Sequence, residues 1–150
     1  MGLELLIATV MVLTTVSVHG AGLLVLARLL AQRERRRREQ RINPLSLEGA
    51  LTASALALGL MALHAVEIWL YAGVFLIVGA IVELRDAVYF STISYATIGY
   101  TDTAVDPDWR LFGAIEGVNG TLLMGWSVAF FVTVMTRFLP TPHPRRHDPT

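Results

Sequence analysis

Apolar and polar positions follow one another along this chain in long blocks, without the short alternation that marks strands or the narrow stripe that marks amphipathic surface helices. Apolar residues dominate 3–31, 49–82 and 110–138. Built as helices at ~1.5 Å per residue, the first run would measure roughly 43 Å and the second roughly 51 Å, against a hydrocarbon core of ~30 Å. The pattern predicts an all-α membrane protein with three transmembrane helices. The polar interruptions differ in kind: 33–48 is basic, whereas 83–109 is centred on "TISYATIGYTD", mostly small and hydroxylated side chains too few and too polar to cross a bilayer.

Composition agrees, with 54% hydrophobic residues against 16% charged and a mean hydropathy of +0.56. The net charge of +0 conceals an asymmetry, because all 12 basic residues are arginine and most lie in two groups, Arg28 to Arg41 and Arg137 to Arg146. Between them only Arg85 and Arg110 stand against Glu83, Asp86, Asp102, Asp106 and Asp108. The start "MGLE" lacks the positive n-region of a secretory signal, and the basic cluster follows the apolar run, so the first run is expected to stay as a span. Positive charge marks the cytoplasmic side. The expected topology is therefore a multi-pass protein of the cell membrane, plasma or inner, with its N-terminus outside and its C-terminal tail, 139–150, in the cytoplasm. Residues 83–109 then begin and end on the outer face. They must dip in and return, and irregular backbone survives at membrane depth only against protein or a water-filled cavity.

The arginine run (Arg33, Arg35, Arg36, Arg37 and Arg38) reads first as a solvated topogenic segment and second as a contact for anionic lipid headgroups; no nucleic-acid partner is expected. With no cysteine there is no disulfide or thiolate metal site. Nor is there a nucleotide loop or a nucleophile constellation, so neither an enzyme nor a resident cofactor is expected.

The stretch "AVYFSTISYATIGYTD" resembles the pore helix and selectivity filter of tetrameric potassium channels, in which the filter usually reads TVGYGD. On that resemblance Thr97, Ile98, Gly99, Tyr100 and Thr101 occupy the filter positions, Asp102 the acid at the pore mouth, Tyr89 and Phe90 the aromatic pair of the pore helix, and Ser91 and Ser94 its hydroxyl positions. "WRLFGAIEGVNG" resembles the start of the family's inner helix and puts Gly120 at its hinge, with Thr121, Met124, Val128 and Val132 facing the cavity. The implied organisation is an additional N-terminal span (1–32), a basic cytoplasmic linker (33–48) and a pore domain (49–138). The pore domain divides into an outer helix (49–82), a pore helix with filter (86–102) and an inner helix (110–138). Four copies around one axis would bind K+ at Thr97, Ile98, Gly99 and Tyr100 through backbone carbonyls and a threonine hydroxyl, giving a homotetrameric, passive, potassium-selective channel.

The sequence departs from the family at Ala96, where a threonine is usual, at Ile93, where a carboxylate is frequent, and at Thr101, where the filter normally has its second glycine. Thr101 opens an alternative, a weakly selective monovalent cation channel. A non-conducting accessory subunit is the reading from a different class.

Ionisable side chains inside spans usually serve something. His64 and Glu67 share one face of the second run, as a structural pair or as a proton-sensitive gate; as a metal site they lack ligands. Glu116 and Asn119 precede Gly120 and are candidates to brace the filter or to pack between subunits. His19 is expected to be hydrogen-bonded within the bundle, and Trp69, Trp109 and Trp126 to be interfacial or packing aromatics.

Overall fold

The computed structural model describes residues 1–36, 47–99 and 104–138. Its elements are α1 (Gly2–Arg36), α2 (Leu47–Ile77), α3 (Leu84–Tyr95), a 3-10 turn (Pro107–Trp109) and α4 (Arg110–Phe138). Helices α1, α2 and α4 are long and apolar enough to cross a membrane. Helix α3 is too short to do so, and it packs between α2 and α4.

The second apolar run continues to residue 82, yet α2 stops at Ile77. The cause lies in the backbone. Gly79 adopts φ 71°, a left-handed conformation open to glycine at little cost. The Ala80 N–H donates to the Phe75 carbonyl at 2.9 Å and the Gly79 N–H to that of Leu76 at 3.1 Å, the paired bonds of a Schellman cap. Phe75 and Ala80 are both buried, which supplies the apolar contact that accompanies this cap. Gly73, by contrast, lies inside the helix without interrupting it.

From this turn the chain enters α3, and it comes back to the same level on the far side. The Asp106 N–H donates to the Ala80 carbonyl at 3.0 Å, joining the two ends of the excursion. Asp106 then caps the 3-10 turn by accepting from the Asp108 N–H at 2.9 Å, ahead of Pro107 at its first position. Helix α4 follows directly.

Aromatic rings lock α3 between its neighbours. Phe75 of α2 meets Phe90 of α3 edge-on at 5.2 Å and Phe112 of α4 at 4.9 Å, and Tyr71 meets Phe112 at 5.4 Å. At the opposite end of the bundle a second cluster around Leu23, Leu56 and Leu60 joins α1, α2 and α4. The remaining helix faces carry exposed leucine, valine and methionine, among them Leu13, Leu24, Leu58 and Met61. That distribution suits elements bathed in lipid, where outward apolar side chains cost nothing.

Helix α1 is fixed along one face. Its buried positions are Glu4, Ala8, Met11, Thr15, His19 and Leu23, recurring every three or four residues as one helical stripe requires. Three members of that stripe are polar and find partners on other helices. The Glu4 carboxyl accepts from the Phe112 N–H at 3.0 Å, in the first turn of α4, where unpaired N–H groups and the helix dipole favour an acid. Thr15 accepts from Asn119, and His19 meets Glu67.

Candidate functional site

The stretch that interrupts the apolar pattern becomes the end of α3 and the turn beyond it. Past Tyr95, the Thr97 N–H donates to the Ser94 carbonyl at 2.9 Å, while the Ile98 and Gly99 N–H groups both donate to the Ile93 carbonyl, at 2.8 and 3.2 Å. The turn's N–H groups thus fold back on the C-terminal end of α3. Among the described residues no backbone N–H donates to the carbonyls of Thr97, Ile98 or Gly99. Thr97 and Gly99 take φ of 57° and 59°. For a β-branched residue such as Thr97 that conformation costs roughly 1–2 kcal/mol and persists only where surrounding structure enforces it. Tyr100, Thr101 and Asp102 lie outside the described residues.

The helix from which this turn departs is seated closely on α4. Gly113, Gly117 and Gly120 form a stripe down α4, and no side chain would fit at any of them. A Cβ at Gly113 would come within 2.9 Å of the Phe90 ring, one at Gly117 within 2.9 Å of the Ser94 carbonyl oxygen, and one at Gly120 would collide with the Tyr95 carbonyl oxygen. Helix α4 runs through Gly120 without a break. In this structure the glycine's evident use is to admit the end of α3.

Hydrogen bonds reinforce the seat. Ser94 Oγ donates to the Gly113 carbonyl, and Ser91 Oγ is shared between the Ile68 carbonyl of α2, at 2.9 Å, and the buried Glu116 Oε1 of α4. Glu116 therefore reaches the helix that carries the turn. Asn119 does not: its amide donates to Thr15 Oγ1 at 2.7 Å and to Tyr71 Oη at 3.0 Å, tying α4 to α1 and α2.

His64 and Glu67 do meet, with His64 Nδ1 at 3.3 Å from Glu67 Oε2. They are joined by two groups that spacing along the chain could not reveal. His19 of α1 places its Nδ1 2.9 Å from Glu67 Oε1. Tyr95, the last residue of α3, donates its hydroxyl to Glu67 Oε2 and stands 2.9 Å from His64 Nδ1. Ser127 Oγ lies 3.3 Å from His19 Nε2. The fully buried Glu67 is thus the meeting point of α1, α2 and α3, and Tyr95 reaches it from the position just ahead of the exposed turn.

Of the residues read as facing a cavity, Thr121, Val128 and Val132 are exposed on α4, whereas Met124 is half-buried against the core. Thr121 turns its hydroxyl to the Gly117 carbonyl at 3.0 Å. Arg33 is exposed beside a groove of about 260 Å³ lined by Leu26, Leu30 and Leu56; nothing is described for the side chains of Arg35 to Arg38.

Comparison with known proteins adds one finding. A family model described as "Ion channel" matches residues 63–137, which takes in part of α2, all of α3 and its turn, and nearly all of α4, and leaves α1 outside. Searches of curated proteins and of solved structures returned no match. A short helix seated between two spans, an exposed turn at its end and this match together identify the chain as a member of the two-transmembrane, pore-loop ion channel family.

Proposed function

We propose that the protein is a passive potassium channel, assembled as a homotetramer in which four copies of the turn after α3 surround one axis. The observation that carries this reading is the turn itself. Its carbonyls at Thr97, Ile98 and Gly99 have no backbone donors among the described residues, and its sequence resembles the family's filter. Removing water from a cation requires replacement oxygens, and backbone carbonyls supply them without a buried charge. The C-terminal end of α3, the negative pole of its dipole, lies directly under the turn and favours a cation there.

Assembly is supported by surfaces that a single subunit leaves open. Ile98 is 58% exposed, and Val118, Leu122 and Val128 project from α4. A cleft of about 520 Å³ lined by Phe90, Ile93, Ser94, Thr97, Gly99 and Gly117 separates the turn from the start of α4. A neighbouring subunit would close it. In the orientation set by the arginines, the Ala80–Asp106 junction faces outward, with Asp106 and Asp108 beside the entrance.

Thr101 supports a second reading, weak discrimination among monovalent cations. It stands where the family has glycine, and a β-branched residue enters the left-handed conformations open to glycine only at a cost. Both readings are tested in liposomes carrying the purified protein, by flux and reversal potential under potassium and sodium gradients. Potassium-driven flux with little sodium leak supports the first. Comparable permeation that sharpens in Thr101→Gly supports the second, and the absence of any flux excludes both.

A further inference from the structure

His64 and Glu67 are two ligands short of a tetrahedral metal site, and the first span and the pore helix bring the missing ones. We infer that His19, His64 and Glu67 form a binding site for a divalent transition-metal ion, of which zinc is the type, with the Tyr95 hydroxyl completing it. This inference does not depend on conduction.

The geometry is close to what such an ion needs. The candidate ligand atoms of the three residues all lie within 4.8 Å of one another. The two rings face opposite oxygens of the same carboxylate, His19 Nδ1 at 2.9 Å from Glu67 Oε1 and His64 Nδ1 at 3.3 Å from Oε2, so a carboxylate turned to offer one oxygen would lie between both nitrogens. Tetrahedral zinc with bonds of ~2.0–2.1 Å holds its ligand atoms about 3.3 Å apart. Two imidazoles on one such ion have ring centres about 5 Å apart by the same bond lengths. The rings of His19 and His64 are 5.3 Å apart and inclined by 38°. Small rotations of side chains already in place would suffice.

The chemistry of the donors selects the class of ion. Two imidazole nitrogens and one carboxylate suit zinc and its neighbours in the first transition row, while magnesium and calcium prefer oxygen throughout. Each histidine binds through Nδ1 as the neutral ring, so its remaining proton moves to Nε2. For His19 that proton finds an acceptor, because Ser127 Oγ lies 3.3 Å from Nε2. Ligating histidines are commonly fixed by such a bond on the far nitrogen. His19 and Glu67 are fully buried, whereas the His64 side chain is 18% exposed.

The ion would join α1 to α2 and hold Tyr95 at the root of the turn. Its presence would therefore be felt by the first span and the turn together.

The test uses the full chain in detergent, stripped with a chelator and titrated with Co2+, whose visible spectrum distinguishes four-coordinate from six-coordinate sites. The expected result is an intense four-coordinate spectrum saturating at one Co2+ per chain, abolished by one equivalent of Zn2+. His19→Gln and His64→Gln should each remove it while eluting from size exclusion as wild type does. These variants matter because the sequence holds 4 histidines, including His143 and His147 in the tail. Ser127→Ala, which leaves every ligand in place, should weaken binding by roughly 10–100-fold. Zn2+ should also raise the Tm of wild type and leave that of His19→Gln unchanged. A pale six-coordinate spectrum in wild type, or a four-coordinate spectrum that survives His19→Gln, would overturn the assignment.

Discussion

Two helices are held against α4 by opposite means. Helix α3 sits on a strip of glycines, so its backbone and rings approach α4 more closely than any side chain there would allow. Helix α1 is attached by polar pins spread along its length: Glu4 to the Phe112 N–H, Thr15 to Asn119, and His19 to Ser127 and, on α2, to Glu67. In lipid there is no hydrophobic force pressing one apolar helix on another, so close packing and hydrogen bonds are what remain. The first method gives a seat with no tolerance, fit for a helix whose end must be placed accurately. The second gives attachments that can be lost one at a time.

The comparison is broken most severely at Gly120. Gly120→Val would drive a branched side chain into the Tyr95 carbonyl and ring, and since backbone cannot rotate aside, α3 itself must shift. A loss of about 3 kcal/mol is expected, at the upper end of overpacking costs. Thermal unfolding in detergent would show it, and the proposed potassium flux would fall to background.

Next comes His19→Leu, which leaves Glu67 Oε1 facing an apolar group in a fully buried place. The expected destabilisation in metal-free protein is about 2 kcal/mol, the scale of an orphaned buried polar group. His19→Gln, which can still donate, should recover most of it. Equal Tm values for the leucine and glutamine variants would show that this pin holds by shape alone.

The fold is most legible in the sequence where chemistry is local. Three runs of apolar residues identify three spans with no knowledge of their partners, and the third run, 110–138, coincides with α4 (Arg110–Phe138). The end of α2 was not legible in hydropathy, because 78–82 is as apolar as the helix before it and the stop is a glycine conformation. Gly120 was visible as unusual, but its neighbour Tyr95 was not, so it read as a hinge by resemblance. His64 and Glu67 could be paired by spacing along one helix. His19 was expected to find a hydrogen bond somewhere in the bundle, but its partner stands 48 positions away, and nothing in a helical period points across that distance. Glu116 and Asn119 had equal claims as filter braces. What separates them is which neighbour each side of α4 meets, and that depends on the docking of α1.

A smaller effect is expected from Thr15→Val. It removes one partner of Asn119 Nδ2 and keeps the bond to Tyr71, so the loss should be near the ~0.6 kcal/mol average for hydrogen bonds between membrane helices. Together with His19→Leu it should depart from additivity, since the two positions lie one turn apart on the same buried face of α1. The smallest effect belongs to Gly125→Ala. Nothing lies within 4 Å of a Cβ there, and alanine favours the helix, so Tm should hold or rise slightly. A fall comparable to that of Gly120→Val would mean that helix propensity, and not the fit of α3, governs the glycines of α4.

The bond between Glu4 and the Phe112 N–H also bears on how a subunit comes into being. It closes a separation of 108 residues, so a side chain synthesised early caps a helix synthesised much later. Until then the carboxyl waits without that partner, and the first turn of α4 acquires its acid only once α1 is already at hand. Contacts of such long range are slow to form because the intervening chain must first be arranged. A single subunit therefore closes one of its longest described side-chain contacts only after both intervening helices are in place.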